Sequence, residues 1–356
     1  MGSKRNAKYD FYRGLLMLGV VWGHTITALR FGVGGSSALL HFFRTYDMPM
    51  FAFISGYFLN ITIKKHGFCN NVLNKIGMIL FPILLWNVIY SVINTIVFSA
   101  GISLSFYRFW FLWAIFIVSI MVLAIEKLFT FSKALKAIVY AVVTIVIHTF
   151  INLPQNAAFL FVPCVFGMYY DSIREKLLCN AKENSVRVIK LVFVVIFAVM
   201  QVFWDKSYNV WNTGNNIFAF STPITTSLRI FYRMSIGIVG CIAMKTVFDL
   251  LYSFKCAKLK TALCNAGKNT LEIYIIQSFL VETLGVMAVA FVTKILGFNV
   301  FTVNMFLLDY VFAFVISGVS VAVCYYVQKW LKLIPKVGTY LFGIPLGRKK
   351  ESRKGE

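Results

Sequence analysis

Between Lys8 and His24 the chain is an apolar run carrying three groups that hydrocarbon tolerates badly, Asp10, Arg13 and His24. Asp10 and Arg13 are three residues apart and Arg13 and His24 eleven, so at about 3.6 residues per turn all three project from roughly one helical face. An ionisable side chain in a membrane segment costs a few kcal/mol even on insertion scales, so this face must look at protein or water, and function is the default reading. An anchor whose Asp10 and Arg13 sat among lipid headgroups would account for two of the three. It leaves His24 unexplained: 16 residues from Lys8 is about 24 Å of helix, well inside a hydrocarbon slab about 30 Å thick. An imidazole held there is a candidate general base.

Other polar groups recur in apolar surroundings. Asp47 precedes Pro49 in Arg44-Thr-Tyr-Asp47-Met-Pro49. With Pro49 in the first turn of a helix entering from outside, where a missing N–H does no harm, Asp47 stands at the outer mouth of the membrane. There it either steadies the His24 imidazole or caps the helix in water. Arg229 and Arg233 are four apart and share a face; they read as contacts to a polar or anionic ligand, or as arginines snorkelling to the interface. Trp110 and Trp113 open another apolar run and read, each alone, as an aromatic belt. Ser55-Gly56 is a packing device that lets a neighbouring backbone approach. His148 is placed at the interface, and His41 and His66 in loops. Lys245, Asp249, Glu272, Gln277, Glu282 and Asp309 are available to pair between helices, with nothing in the sequence to choose among them. On the opposite side from Asp47, Arg13 with Lys64, Lys65, Lys75 and Lys268 makes a basic floor suited to phosphates.

The elements that must position these groups are membrane helices. With 59% apolar residues, 17% aromatic and a mean hydropathy of +0.77, the 356-residue chain has too little polar surface for a soluble globule. Apolar stretches predict an all-α polytopic protein of about ten spans, near 11–30, 43–61, 74–99, 109–129, 134–151, 155–171, 187–204, 225–252, 270–293 and 304–330. No small-residue cleavage site follows the first run, which reads as an uncleaved span. Assigning the loops alternately puts 26 Lys and Arg on the side of the N-terminus and five on the other, with four inside spans. Both termini are therefore expected in the cytoplasm of a cell-membrane protein. The same distribution accounts for the net charge of +22 by topology and attraction to anionic lipid, without nucleic acid. The seven cysteines show no zinc spacing and none falls in an outside segment, so neither a metal site nor a disulfide framework is expected. No linker or repeat divides the chain: residues 1–330 read as one membrane domain and 331–356 as a basic cytosolic tail.

These motifs resemble a known family. Arg13 and His24 separated by ten residues and ending Gly23-His24, Met48-Pro49-Met50-Phe51 followed by Ile54-Ser55-Gly56, Trp110-Phe-Leu-Trp113, and Asn269-Thr-Leu-Glu-Ile-Tyr274 together resemble the membrane acyltransferase-3 family. Within it the chain is similar to the sugar O-acetylases of bacterial polysaccharide biosynthesis, of the fucose 4-O-acetylase kind. The resemblance covers residue 8 to about 330 and implies transfer of an acyl group, usually acetyl from cytosolic acetyl-CoA as co-substrate, to a hydroxyl of an extracytoplasmic glycan or lipid-linked saccharide. It implies an essential His24 and an Arg13 near the acyl-donor route. Many members carry two arginines just before the proline of the third span. This chain has Lys75-Ile-Gly-Met78-Ile-Leu-Phe-Pro82, leaving Lys75 as the single cation there, with Lys64, Lys65 and Lys268 as substitutes.

On this reading His24 and Asp47 are the catalytic candidates, Arg13, Asp10 and Lys75 the acyl-donor side, and Trp110, Trp113, Arg229 and Arg233 the acceptor side, with no bound cofactor. Neutral His24 removes the hydroxyl proton as it attacks the thioester, or carries the acyl group itself; spacing does not separate the two. A transporter of a small solute or acyl unit is the rival, since buried ionisable groups also mark substrate paths, but no inverted repeat or paired broken helices appear. A glycan polymerase or flippase comes third, lacking the large external loop expected of it; the longest outside segment is about 205–224.

Overall fold

The computed structural model describes residues 6–31, 37–98, 108–151, 153–179, 181–209, 217, 222–299, 304–334, 336–344 and 346. Among these every regular element is helical. In chain order they are α1 (Ala7–Leu29), α2 (Ala38–Lys75), a π turn (Ile76–Leu80) leading into α3 (Phe81–Phe98), α4 (Trp110–Leu128), α5 (Lys133–Thr149), α6 (Ala158–Leu178), α7 (Glu183–Val202) and α8 (Pro223–Ser253). There follow α9 (Ala257–Lys268), α10 (Thr270–Phe279), a second π turn (Leu280–Gly285), α11 (Val286–Leu296), α12 (Met305–Leu307), a third π turn (Leu308–Phe312), α13 (Ala313–Leu333) and α14 (Val337–Phe342). All ten apolar stretches fall on helices. Among the described residues six helical runs are long and apolar enough to cross a membrane: Ala38–Ile96, Trp110–Leu128, Glu183–Val202, Pro223–Ser253, Thr270–Leu296 and Met305–Leu333. The chain is a multi-pass membrane protein. The apolar face of α7 is mostly exposed, Val188, Leu191, Val195 and Val199 among its residues, as contact with lipid tails requires.

Two expectations about α2 change. It begins at Ala38, so Pro49 lies inside the helix rather than in its first turn, and Asp47 is a buried residue of the third turn rather than a water-exposed cap. His41 and His66, expected in loops, are also in α2, because the helix starts at Ala38, ahead of the apolar run, and continues past the polar Lys64-Lys65 where that run stops. The helix kinks at Gly67, whose φ of 68° suits glycine; the Asn71 side-chain amide donates to the Gly67 carbonyl at 2.6 Å and the Thr62 carbonyl at 3.1 Å, spanning the break.

The chain forms two compact units, the first of residues 1–51, 174–213 and 225–334, the second of residues 52–173, 214–224 and 335–356. The first is built around α1, capped by the Asn6 side chain, which accepts from the Lys8 N–H. α1 packs on α9 at backbone contact: a Cβ at Gly14 would fall on the Leu263 carbonyl, and one at Gly267 on the carbonyl of Asp10. The far end of α1 is fixed by an apolar cluster of Ile26, Leu29, Val289, Leu308 and Ala313. Beside it Arg30 pairs with Asp309 at 2.6 Å, Ser37 donates to the same carboxylate at 2.5 Å, and the Trp22 indole donates to the Asp309 carbonyl at 2.7 Å. This buried pair has its remaining lone pairs satisfied, the condition under which such a pair is tolerated.

In the second unit α2 and α6 meet through small residues, a Cβ at Gly56 falling on the Cys164 carbonyl and one at Gly167 on that of Phe53, as Ser55-Gly56 led one to expect. Glu126 of α4 gathers Lys136 at 2.6 Å and the hydroxyls of Tyr140 and Tyr169 at 2.9 and 2.6 Å, tying α4, α5 and α6. Residues 336–344 of the expected tail are ordered here. The Ile344 N–H donates to Gly77 at 2.9 Å, Trp86 donates to the Leu341 carbonyl at 2.8 Å, and Phe342 is buried. The Gly-Arg-Lys-Lys cluster at 347–350 lies outside the described residues.

Candidate active site

His24 sits near the end of α1 with a partly open side chain, 32% exposed, so that it is anchored yet reachable. Its Nδ1 lies 3.3 Å from Oε1 of Glu282, and the Gln277 amide donates to the same oxygen at 3.0 Å. The backbone explains the pairing. Glu282 belongs to the π turn Leu280–Gly285, and in a π turn residues five apart come over one another, where an α-helix would hold them about 140° apart. Gln277, fully buried on α10, therefore braces the carboxylate that faces His24. An imidazole whose Nδ1–H is held by a carboxylate presents the Nε2 lone pair outward, the form a general base needs. The sequence contains one hint of this, a carboxylate midway along an apolar run with Gln277 five residues before it.

Asp47 is buried and accepts its own Met48 N–H at 2.6 Å. The charges that act on it are Arg233, Arg44 and His24, in that order, so it is coupled to the imidazole through space while Glu282 stands at contact distance. Three helices converge at this point. A Cβ on Gly237 of α8 would touch Pro49, and one on Gly240 would press on Tyr46 and Phe197; the Gln201 amide of α7 donates to Thr45 at 2.9 Å; and the Tyr232 hydroxyl donates to the Met200 carbonyl. Arg233 is buried in this junction, its Cζ 5.1 Å from the ring centre of Trp204, and its Nη1 has no hydrogen-bond partner among the described residues. Arg229, one turn earlier on α8, is half-buried. Arg44 and Trp204, which the sequence did not single out, thus join Asp47 and Arg233.

At the start of α1, Asp10 is buried and Arg13 half-buried. Their neighbours form a tight polar knot: Asp249 of α8 takes Lys8 at 2.5 Å, Lys245 at 3.0 Å, and the hydroxyl of Tyr12. Lys268 ends α9, which packs on this part of α1. Lys75, half-buried at the end of α2, and the exposed Lys64 and Lys65 belong to the second unit, as do Trp110 and Trp113, both half-buried in the first turn of α4.

Over 295 residues the chain is 23% identical to the nodulation protein NolL of Sinorhizobium fredii, covering 77% of this chain and 78% of the relative. It is 21% identical over 300 residues to the NolL of Mesorhizobium japonicum, covering 77% and 76%. No solved structure matches the chain. A family model for an acyltransferase domain, the acyltransferase-3 type that the Arg13 to His24 spacing resembles, matches residues 6–349, nearly the whole length, and the chain belongs to that family.

Proposed function

We propose that this protein is a membrane O-acyltransferase that moves an acyl group, acetyl in the first instance, from cytosolic acyl-CoA to a hydroxyl of a cell-surface glycan or its lipid-linked precursor. The observation that carries the proposal is the His24–Glu282 contact at 3.3 Å, a carboxylate-steadied imidazole near the end of an apolar helix in a chain of an acyltransferase family. The proposed protein lies in the cell membrane with about ten spans and both termini cytoplasmic. Arg13 and Asp10, about three and four turns before His24, and Lys75 serve the donor; Arg229, Arg233, Trp110 and Trp113 serve the acceptor.

In the step we propose, the acceptor oxygen attacks the thioester carbonyl while Nε2 of His24 takes the hydroxyl proton. Glu282 stabilises the imidazolium through Nδ1–H, and Gln277 keeps the carboxylate aimed. Collapse of the tetrahedral adduct breaks the carbon–sulfur bond, and the imidazolium returns the proton to the departing thiolate. Asp47, more distant, adds its field to the imidazolium.

The test is to incubate the purified protein in detergent with radiolabelled acetyl-CoA and candidate glycans. Label appearing in the glycan, and lost on H24A, supports the reading. Full label transfer by H24A overturns the mechanism, and solute uptake into vesicles without any transfer would favour a carrier.

A further inference from the structure

Arg233 is the buried charge that the proton-transfer machinery leaves unused. It is 7% exposed, and its Nη1 is fully enclosed without an acceptor among the described residues. The Trp204 indole N–H beside it, beneath the guanidinium at 5.1 Å, is a second enclosed donor with no partner among the described residues. Both orphans are donors, so what satisfies them must be an acceptor. The charges lean the same way: among the described residues the carboxylate acting on both Arg233 and Arg44 is Asp47, one negative charge for two positive ones. A buried guanidinium is expensive to keep unless an anion completes it, and its planar fork matches a carboxylate or phosphate. Next to these donors Trp204, Tyr208 and Tyr232 lie ring against ring, with Tyr208 and Tyr232 4.7 Å apart.

We infer that Arg233, Trp204 and Arg44 bind an oxyanionic group carried by the acceptor, so that the protein selects an acidic saccharide. This rests on the acyltransferase reading only for the word acceptor; the anion site itself follows from the orphaned donors and the charge imbalance. The oxyanion has two sources, a uronic acid carboxylate in the glycan or the phosphate of a polyprenyl-linked precursor.

Two matched pairs of probes separate them: an oligogalacturonide against its methyl ester, and a polyprenyl pyrophosphate-linked trisaccharide against the free trisaccharide. Binding to the full-length protein in detergent is measured for each, and label transfer from acetyl-CoA is followed separately. The expected result is that at least one anionic probe binds about tenfold or more tighter than its neutral twin, the worth of a charge-assisted contact. Arg233→Gln should bring that ratio close to one and Arg233→Lys should keep part of it. Trp204→Phe, which retains a ring and removes the N–H, should lower it in a protein with an unaltered α8. Equal binding of both twins by the wild type, or a preference that persists in Arg233→Gln, overturns the proposal. A protein that discriminates but transfers no acetyl keeps the anion site and removes the acetyltransferase; one that acetylates both twins alike without a binding preference does the reverse.

Discussion

At the scale of single residues the chemistry turns on which carboxylate serves His24. General-base catalysis contributes about 10²–10⁴-fold, so His24→Ala should insert normally and lower acyl transfer by at least about a hundredfold. Glu282→Gln replaces a charged acceptor by a neutral one at a contact worth about 1.5–3 kcal/mol, and kcat should fall roughly ten- to a hundredfold with KM for the acceptor little changed. Asp47→Asn should cost less, because its carboxylate is not at contact distance from the imidazole. Kinetics in which Asp47→Asn is the more damaging of the two would return the partner role to Asp47. Arg13→Ala tests the donor side: acyl-CoA binding, read by calorimetry in detergent, should weaken by about 1.5–3 kcal/mol while acceptor binding holds. His24 and Arg13 were legible because they share one helix, where spacing fixes a common face. Glu282 was not, since nothing local relates two residues on helices so far apart in sequence, and the extra residue of a π turn shifts the face that a 3.6-residue period assigns.

At the scale of elements, apolar run length located every long helix, because length and hydropathy are what the bilayer selects. Departures from ideal helix escaped it. α2 runs on through Lys64 and Lys65 and kinks at Gly67, and two of the three π turns carry the acidic residues that matter, Glu282 facing His24 and Asp309 facing Arg30. Widening a helix by one residue aims a carboxylate sideways into a neighbour, and the cost is borne where a partner repays it. The backbone contact of α1 with α9 is as demanding. Gly14→Val puts branched carbons where the Leu263 carbonyl lies, so the helices must separate. We expect a loss of about 1–3 kcal/mol or more, seen as a lowered melting temperature in detergent, and weaker donor binding, since α9 carries Lys268 beside the Asp10 and Arg13 end of α1. Wild-type melting in Gly14→Val would show that this contact is not tight.

At the scale of the whole molecule, each of the two compact units is assembled from three separate stretches of chain, and nothing in an apolar run says which distant run it will pack with. Part of the tail is structural: Trp86 and Gly77 hold residues 341–344 at the mouth of α3, although the tail's lysines and arginines had marked it as solvated. What the charges predict is orientation. Twenty-six Lys and Arg against five on alternating sides is a bias that short loops obey regardless of how the helices later pack. Cysteines introduced between residues 205 and 220 should therefore react in intact cells with a thiol reagent that does not cross membranes. Cys179, which is exposed, and Cys264, which is partly so, should react only after the cells are opened. Labelling of Cys179 from outside would invert the protein, move the Arg13 end of α1 away from cytosolic acyl-CoA, and with it remove the donor route on which the proposed reaction depends.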